Sequence, residues 1–236
     1  MSINRHKKTC SIERASHDIN QHNNIKEKSN EHCKKKSTAE EVKKSNRKIN
    51  IIIDPGHGAT YNKWDTVDPG ASGLANKHEK DYTTDISARL GSELEKVYGY
   101  NIAYTRLADV TAKQKHLAWR VDFAHNENAD YFISIHLDSF SAKKNRFTAY
   151  YWFKGNSFSK EGKKIAESVI DAVTTHGFNK SAVKSANHYV TRNTRVPAIL
   201  VECGNIKNPM NENAINNKNF ISDFAKGIDT YIQNSK

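Results

Sequence analysis

The sequence predicts an α/β fold: one domain with a mostly parallel, twisted sheet flanked by helices, preceded by a basic N-terminal tail. Three observations carry this expectation. Short apolar, β-branched runs recur between segments whose apolar residues fall at helical spacing, as strands and crossover helices alternate around a parallel sheet. The first run, Ile51-Ile52-Ile53, is wholly apolar, which suits a strand covered on both faces, and Asp54-Pro55-Gly56 stops it. Residues 1–48 show no such alternation; Ile3, Ile12, Ile19, Ile25 and Val42 are too sparse for a core, and Lys34-Lys35-Lys36 and Lys43-Lys44 add charge. The expected organisation is a disordered, low-complexity tail over 1–48 and a folded domain over 49–236.

The elements follow in order. His57 comes directly after the first strand, between Gly56 and Gly58, which free the backbone and keep bulk from the imidazole. Tyr82, Ile86, Leu90, Leu94 and Val97 recur at near-helical spacing, giving an amphipathic helix that ends before Gly99. Residues 101–105 read as a short strand, and Leu117, Val121 and Ala124 as a second helix over the sheet. Residues 131–135 form a buried strand that His136 ends, and 147–153 an aromatic strand. Ile165, Val169, Ala172 and Val173 mark a third helix. The apolar strand 197–201 terminates in Glu202, and Phe220, Phe224, Ile228 and Ile232 define a closing helix. There is no internal repeat.

Composition narrows the function classes. In 236 residues no apolar run approaches the roughly 18 needed to span a bilayer. The first eight residues contain basic side chains but no apolar stretch follows, so the expectation is synthesis in the cytoplasm without a recognisable signal peptide. Cys10, Cys33 and Cys203 are an odd, scattered set that makes no disulfide framework. Cys10 and Cys33 with His6, His17, His22 and His32 match no zinc-knuckle spacing. A formal charge of +11 implies attraction to an anionic partner, whether nucleic acid, lipid surface or acidic wall polymer.

The chemistry lies in where polar residues fall. His57, His136 and Glu202 each follow a predicted buried strand, the edge where open α/β sheets bind ligands. Glu79 heads the next helix, a place the helix dipole also favours for a carboxylate. Two histidines and one carboxylate make a catalytic zinc set with an open fourth position, and a further carboxylate can take a proton from water. Spacing alone leaves open which of Glu79 and Glu202 is the ligand and which the base. Asp54 either orients a ligand or only caps its turn. His78 rivals Glu79, but neighbouring positions on a helix point apart. His116, His125 and His176 read as surface residues, and His188, in a predicted strand near the cleft, as a candidate substrate contact. Cys203 reads as a small buried apolar residue rather than a nucleophile.

From about Lys48 onward the chain resembles the zinc-dependent N-acetylmuramoyl-L-alanine amidases of the Amidase_3 type. The resemblance rests on Ile53-Asp54-Pro55-Gly56-His57-Gly58, Asp68-Pro69-Gly70-Ala71-Ser72-Gly73, Glu79-Lys80-Asp81, Thr105-Arg106 with Asp109, and Arg120-Val121. Ala129-Asp130, Ser134-Ile135-His136 and 197–204 complete it in the family's order. It implies that His57, Glu79 and His136 hold one zinc ion, that Glu202 is the catalytic carboxylate, and that the substrate is peptidoglycan. The bond cut would be the amide joining N-acetylmuramic acid to L-alanine.

Departures from the family pattern are the longer link through Ala59-Thr60-Tyr61-Asn62-Lys63-Trp64, Leu137-Asp138 after the second histidine, and Cys203 and Asn205 around Gly204. They bear on substrate preference. The long inhibitory helix of cell-division relatives has no counterpart between Phe140 and Asn156, which predicts an uncovered, lysin-like site. The expected setting is a monomer acting on the cell wall after release or non-classical export. Its tail would bind anionic wall polymers, and no nucleic-acid partner is expected. The alternatives are a zinc hydrolase of another amide, such as a polysaccharide N-acetyl group, and a non-catalytic wall-binding module.

Overall fold

Ile51 to Pro55 are buried along the whole of the first strand, as a continuous apolar run between two covered faces requires. The computed structural model describes residues 47–59, 66–110, 117–155 and 157–236. The expected tail, most of the 59–64 link and His116 lie outside them. In chain order the main elements are β1 (Asn50–Pro55), α1 (Glu79–Tyr98), β2 (Asn101–Tyr104), α2 (Leu117–Asn126), β3 (Tyr131–Asp138) and β4 (Arg146–Tyr151). There follow α3 (Ser157–Val173), β5 (Lys180–Ser185), α4 (Tyr189–Asn193), β6 (Ala198–Asn205), α5 (Pro209–Asn216) and α6 (Lys218–Asn234).

The strands form one six-stranded sheet in the order β2-β1-β3-β6-β4-β5. Every pairing is parallel except β4 with β6, so the sheet is mixed but mostly parallel, as expected. Alternate residues of the central strands face opposite layers. Ile51, Ile53, Ile133, Ile135, Ile199 and Val201 meet Ile86 and Leu90 of α1, Ile165 and Val169 of α3, and Phe220 and Phe224 of α6. Each such fully buried side chain contributes about 1.5–3 kcal/mol relative to exposure. Ile52, Phe132, Ala198 and Leu200 face the other way, against Val121 and Ala124 of α2 and Val190 of α4. Among the described residues that second layer has two short helices, and the candidate site lies on its side of the sheet.

α1 starts where the backbone N–H of His78 donates to Asp81 Oδ2, 3.2 Å away, and ends at Gly99, whose left-handed backbone (φ 76°) returns its N–H to Glu95 O. Val97, expected on the buried stripe, is 60% exposed. β3 and β6 run past His136 and Glu202 instead of ending at them, with an irregular register between His136 and Asp138. β5 and α5 carry too few apolar residues for the periodic reading to show them. No helix among the described residues is long and apolar enough to cross a membrane.

Candidate functional site

The site begins with a turn whose carbonyls point inward. After β1 the oxygens of Pro55, Gly56 and His57 have no strand partner, and two buried arginines supply the donors. Arg120 donates to Pro55 O (2.7 Å) and His57 O (2.8 Å), and Arg106 to Pro55 O (3.0 Å) and Gly56 O (2.5 Å). Asp54 balances this charge: its carboxylate accepts from Arg120, from the Thr105 hydroxyl (2.6 Å) and from the Ser134 hydroxyl (2.7 Å). Burial raises the Asp54 pKa, but Arg120 and the two hydroxyls outweigh it and hold the group below the ordinary carboxylate value. Asp54 therefore fastens the turn and hydrogen-bonds no candidate ligand.

His57 sits in this turn with a left-handed backbone, φ 58°, which non-glycine residues seldom adopt. The flanking glycines serve neighbours inside the protein. A Cβ on Gly56 would run into the His136 ring, and one on Gly58 (φ 71°) into the Arg106 guanidinium. To the expected backbone freedom and clearance around the His57 ring the structure adds this tighter reason.

Three donors converge. His57 Nε2 and His136 Nδ1 each lie 3.1 Å from Glu79 Oε1, and the atoms these residues offer all fall within 4.8 Å of one another. The group could hold a metal ion. Glu79 is fixed by the first turn of α1 and by backbone N–H groups from Ala71 and Leu137, both at 3.0 Å. Burial pushes its pKa up, but His136 and His57 pull it further down, so the carboxylate is ionised. His57 Nδ1 donates to Asp68 Oδ2 at 2.8 Å, which leaves Nε2 facing the cluster. Burial lowers the His57 pKa, yet Asp68 and Glu79 overcome that and lift it to about 9. Asp68, which holds a candidate ligand and lines the site, was not singled out as a site residue by reading the sequence. Its signal was a second Asp-Pro-Gly turn, Asp68-Pro69-Gly70, repeating that of Asp54.

Glu202 stands beside the cluster, not in it. In the sheet register it lies between His136 on β3 and Thr148 on β4. Its Oε2 is buried with no hydrogen-bond partner among the described residues. Burial, reinforced by the Asp138 and Glu79 carboxylates, raises its pKa well above the ordinary value. Asp138 is itself paired with Arg146 at 2.8 Å.

A cavity of about 370 Å³ opens on this face; His57, Asp68 and His136 line it together with Arg120, Ser134, Leu117, His188, Tyr189, Val190 and Leu200. Glu202 does not line it. His188 precedes α4 as its N-terminal cap position, so it is not in a strand as expected, but it does reach the cavity. His78 starts α1 outside the cluster. His125 accepts from Arg195 N. His176, expected at the surface, has a side chain only 7% exposed, bonded to Asp223 at 2.7 Å. Cys203 is fully buried, and burial followed by the Glu202 charge raises its thiol pKa well above normal, which removes it as a nucleophile.

A mostly parallel α/β sheet in which the turn after β1, the body of β3 and the first turn of α1 bring two imidazoles and a carboxylate together defines a class: α/β domains with a candidate mononuclear metal site. A family model for N-acetylmuramoyl-L-alanine amidase (Amidase_3) matches residues 51–234, and the chain belongs to this family. It is 34% identical over 174 residues to a probable cell wall amidase, LytH, of Staphylococcus saprophyticus, a match covering 71% of this chain and 52% of that protein. It is 33% identical over 181 residues to the sporulation-specific N-acetylmuramoyl-L-alanine amidase of Bacillus subtilis, covering 76% and 65%. The chain thus spans about half to two thirds of the length of these curated relatives. Among solved structures, N-acetylmuramoyl-L-alanine amidase AmiC2 of Nostoc punctiforme superposes with a TM-score of 0.66 at 30% identity, covering 79% of this chain and 98% of that one.

Proposed function

We propose that residues 49–236 form a catalytic domain that hydrolyses the amide between the lactyl group of N-acetylmuramic acid and the L-alanine of the stem peptide in peptidoglycan. In this reading His57, Glu79 and His136 hold one zinc ion, and Glu202 is the general base. The observation that carries it is the convergence of the three donor atoms within 4.8 Å beside a buried carboxylate of raised pKa. Two imidazoles and one carboxylate suit a catalytic zinc site with an open position. Bound there, zinc would act as a Lewis acid toward the scissile carbonyl and make a nearby water more acidic.

The protein's own groups would do the rest. Asp68 holds His57 so that Nε2 faces the site. Glu202 accepts the proton of the attacking water and returns it to the leaving nitrogen, a task that favours a pKa lifted toward neutrality. Nothing but the turn 139–145 lies between β3 and β4, which supports an uncovered, lysin-like site.

Digestion of purified peptidoglycan tests this. The native protein should free peptides with a new L-alanine N-terminus. Chelated protein and Glu202→Gln should free none, while the Gln form still binds one zinc. Full activity of zinc-loaded Glu202→Gln would remove Glu202 from its role, and loss of acetate instead of stem peptide would reassign the reaction to deacetylation.

A further inference from the structure

His188 combines features that a merely structural residue would not need. Its ring packs edge-on against Tyr150, with centroids 5.1 Å apart and planes at 76°, and lines the same cavity as His57 and His136. Its Nε2 is buried and finds no hydrogen-bond partner among the described residues. Such an atom costs stability, and a phenyl ring would fill the place without that cost. Leu117, Val190 and Leu200 also line this cavity, so the His188 imidazole shares it with apolar side chains. Tyr150 and Leu200 are paired across β4 and β6, and Thr148 and Glu202 form the next pair on the same face. Thr148 Oγ1 and Glu202 Oε2 are likewise buried without partners. Unpaired groups thus occur together from Glu202 toward His188, along the side of the sheet where a substrate would lie.

We propose that His188 is a substrate-binding residue whose Nε2 hydrogen-bonds a backbone amide of the stem peptide beyond the scissile bond. The inference rests on the amidase reading above. The chemistry of the cavity selects a neutral group. The Arg120 guanidinium, which also lines the cavity, is engaged by Asp54, Pro55 O and His57 O, so it is not a free cation for an anion. A sugar face would bring several hydroxyls against the apolar side chains Leu117, Val190 and Leu200. An amide brings both an N–H and a C=O, so either tautomer of His188 is matched, and the apolar wall accommodates the small alanine side chain.

The test compares His188→Phe and His188→Gln with the native, zinc-loaded enzyme on soluble N-acetylmuramoyl-tripeptide. Removing one hydrogen bond made alike in bound substrate and transition state should raise KM about tenfold in the Phe variant and leave kcat within about twofold. Gln should recover most of the loss. The Phe protein should melt no lower than the native one and bind one zinc, a combination that a packing role would not give. If Phe does not fold, His188→Leu against His188→Asn makes the same comparison at smaller volume.

Two further substrates locate the contact. The penalty should persist when the sugar lacks its N-acetyl group and vanish when the peptide is replaced by an ethyl group on the scissile nitrogen, which leaves no amide beyond that bond. The reverse pattern would move the contact to the acetamido group and overturn the peptide assignment. A folded His188→Phe enzyme with native KM would overturn the inference alone. A native protein that frees no peptide would take down the amidase reading and this inference together.

Discussion

The His57 imidazole has two nitrogens, and Asp68 occupies one of them. Because a ligand imidazole is oriented by what its other nitrogen holds, Asp68→Ala should weaken zinc binding about 10–100-fold, read by competition with a chromophoric chelator. Unchanged affinity would mean that the turn alone orients the ring. Asp68 is itself about one third exposed, so its removal should spare the fold. The difference between Asp68 and the four residues singled out beforehand is physical. His57, His136 and Glu202 follow or end apolar runs and Glu79 opens an amphipathic helix, so periodicity marks their places. Asp68 lies in a loop with no period, and only the folded turn brings it to a histidine 11 positions away. Arg106 and Arg120 were equally hard to find, because among their partners are the carbonyl oxygens of Pro55, Gly56 and His57, which no side-chain pattern reveals.

Among the elements, the turn after β1 depends most on charge. Asp54 and Arg120 are both nearly inaccessible, so deleting one leaves the other buried and unpaired. Asp54→Ala should lower the unfolding free energy by about 3–5 kcal/mol in urea titrations. The pH dependence has a definite sign. The folded pKa of Asp54 lies below its ordinary 3.8, so its contribution is fully present above that value and is lost as pH falls through the depressed one. The native protein should therefore shed stability below about pH 4, and the Ala variant should show less of this acid loss; identical acid profiles would contradict the pairing. Other elements were legible to different degrees. α1 was clear because Tyr82, Ile86, Leu90 and Leu94 form one stripe and Gly99 closes it. β5 was not, because Lys180-Ser181-Ala182-Val183-Lys184-Ser185 is an edge strand whose lysines suit solvent and blunt further pairing. His188 was read as strand for a related reason: Tyr189 and Val190 have strand propensity, but their burial against the second layer sets a single helical turn instead.

At the scale of the whole molecule, the formal charge of +11 requires an anionic counterpart if it is to matter. We expect the basic residues 1–48 to supply attraction to anionic wall polymers and the chain to act as a monomer. Deleting residues 1–46 should leave zinc content and the unfolding midpoint unchanged while weakening wall binding, with the difference disappearing as salt rises and the Debye length shrinks from about 10 Å at 0.1 M. Equal binding at low salt would reject the attraction. The reversal of β4 against β6 has its own effect on the whole: the chain passes from β3 to β4 through the turn 139–145 with no helix between, and the α3 crossover from β4 to β5 packs in the layer of α1 and α6, so neither covers the face beside the cluster. Finally, the left-handed backbone at His57 makes this position conformationally uncomfortable for any side chain but comfortable for glycine. A library of variants selected only for surviving heat would consequently favour glycine there, and would enrich sturdy proteins that have lost a donor. Thermal selection on this chain has to be coupled to a screen for the proposed amidase activity, or it will breed inert scaffolds.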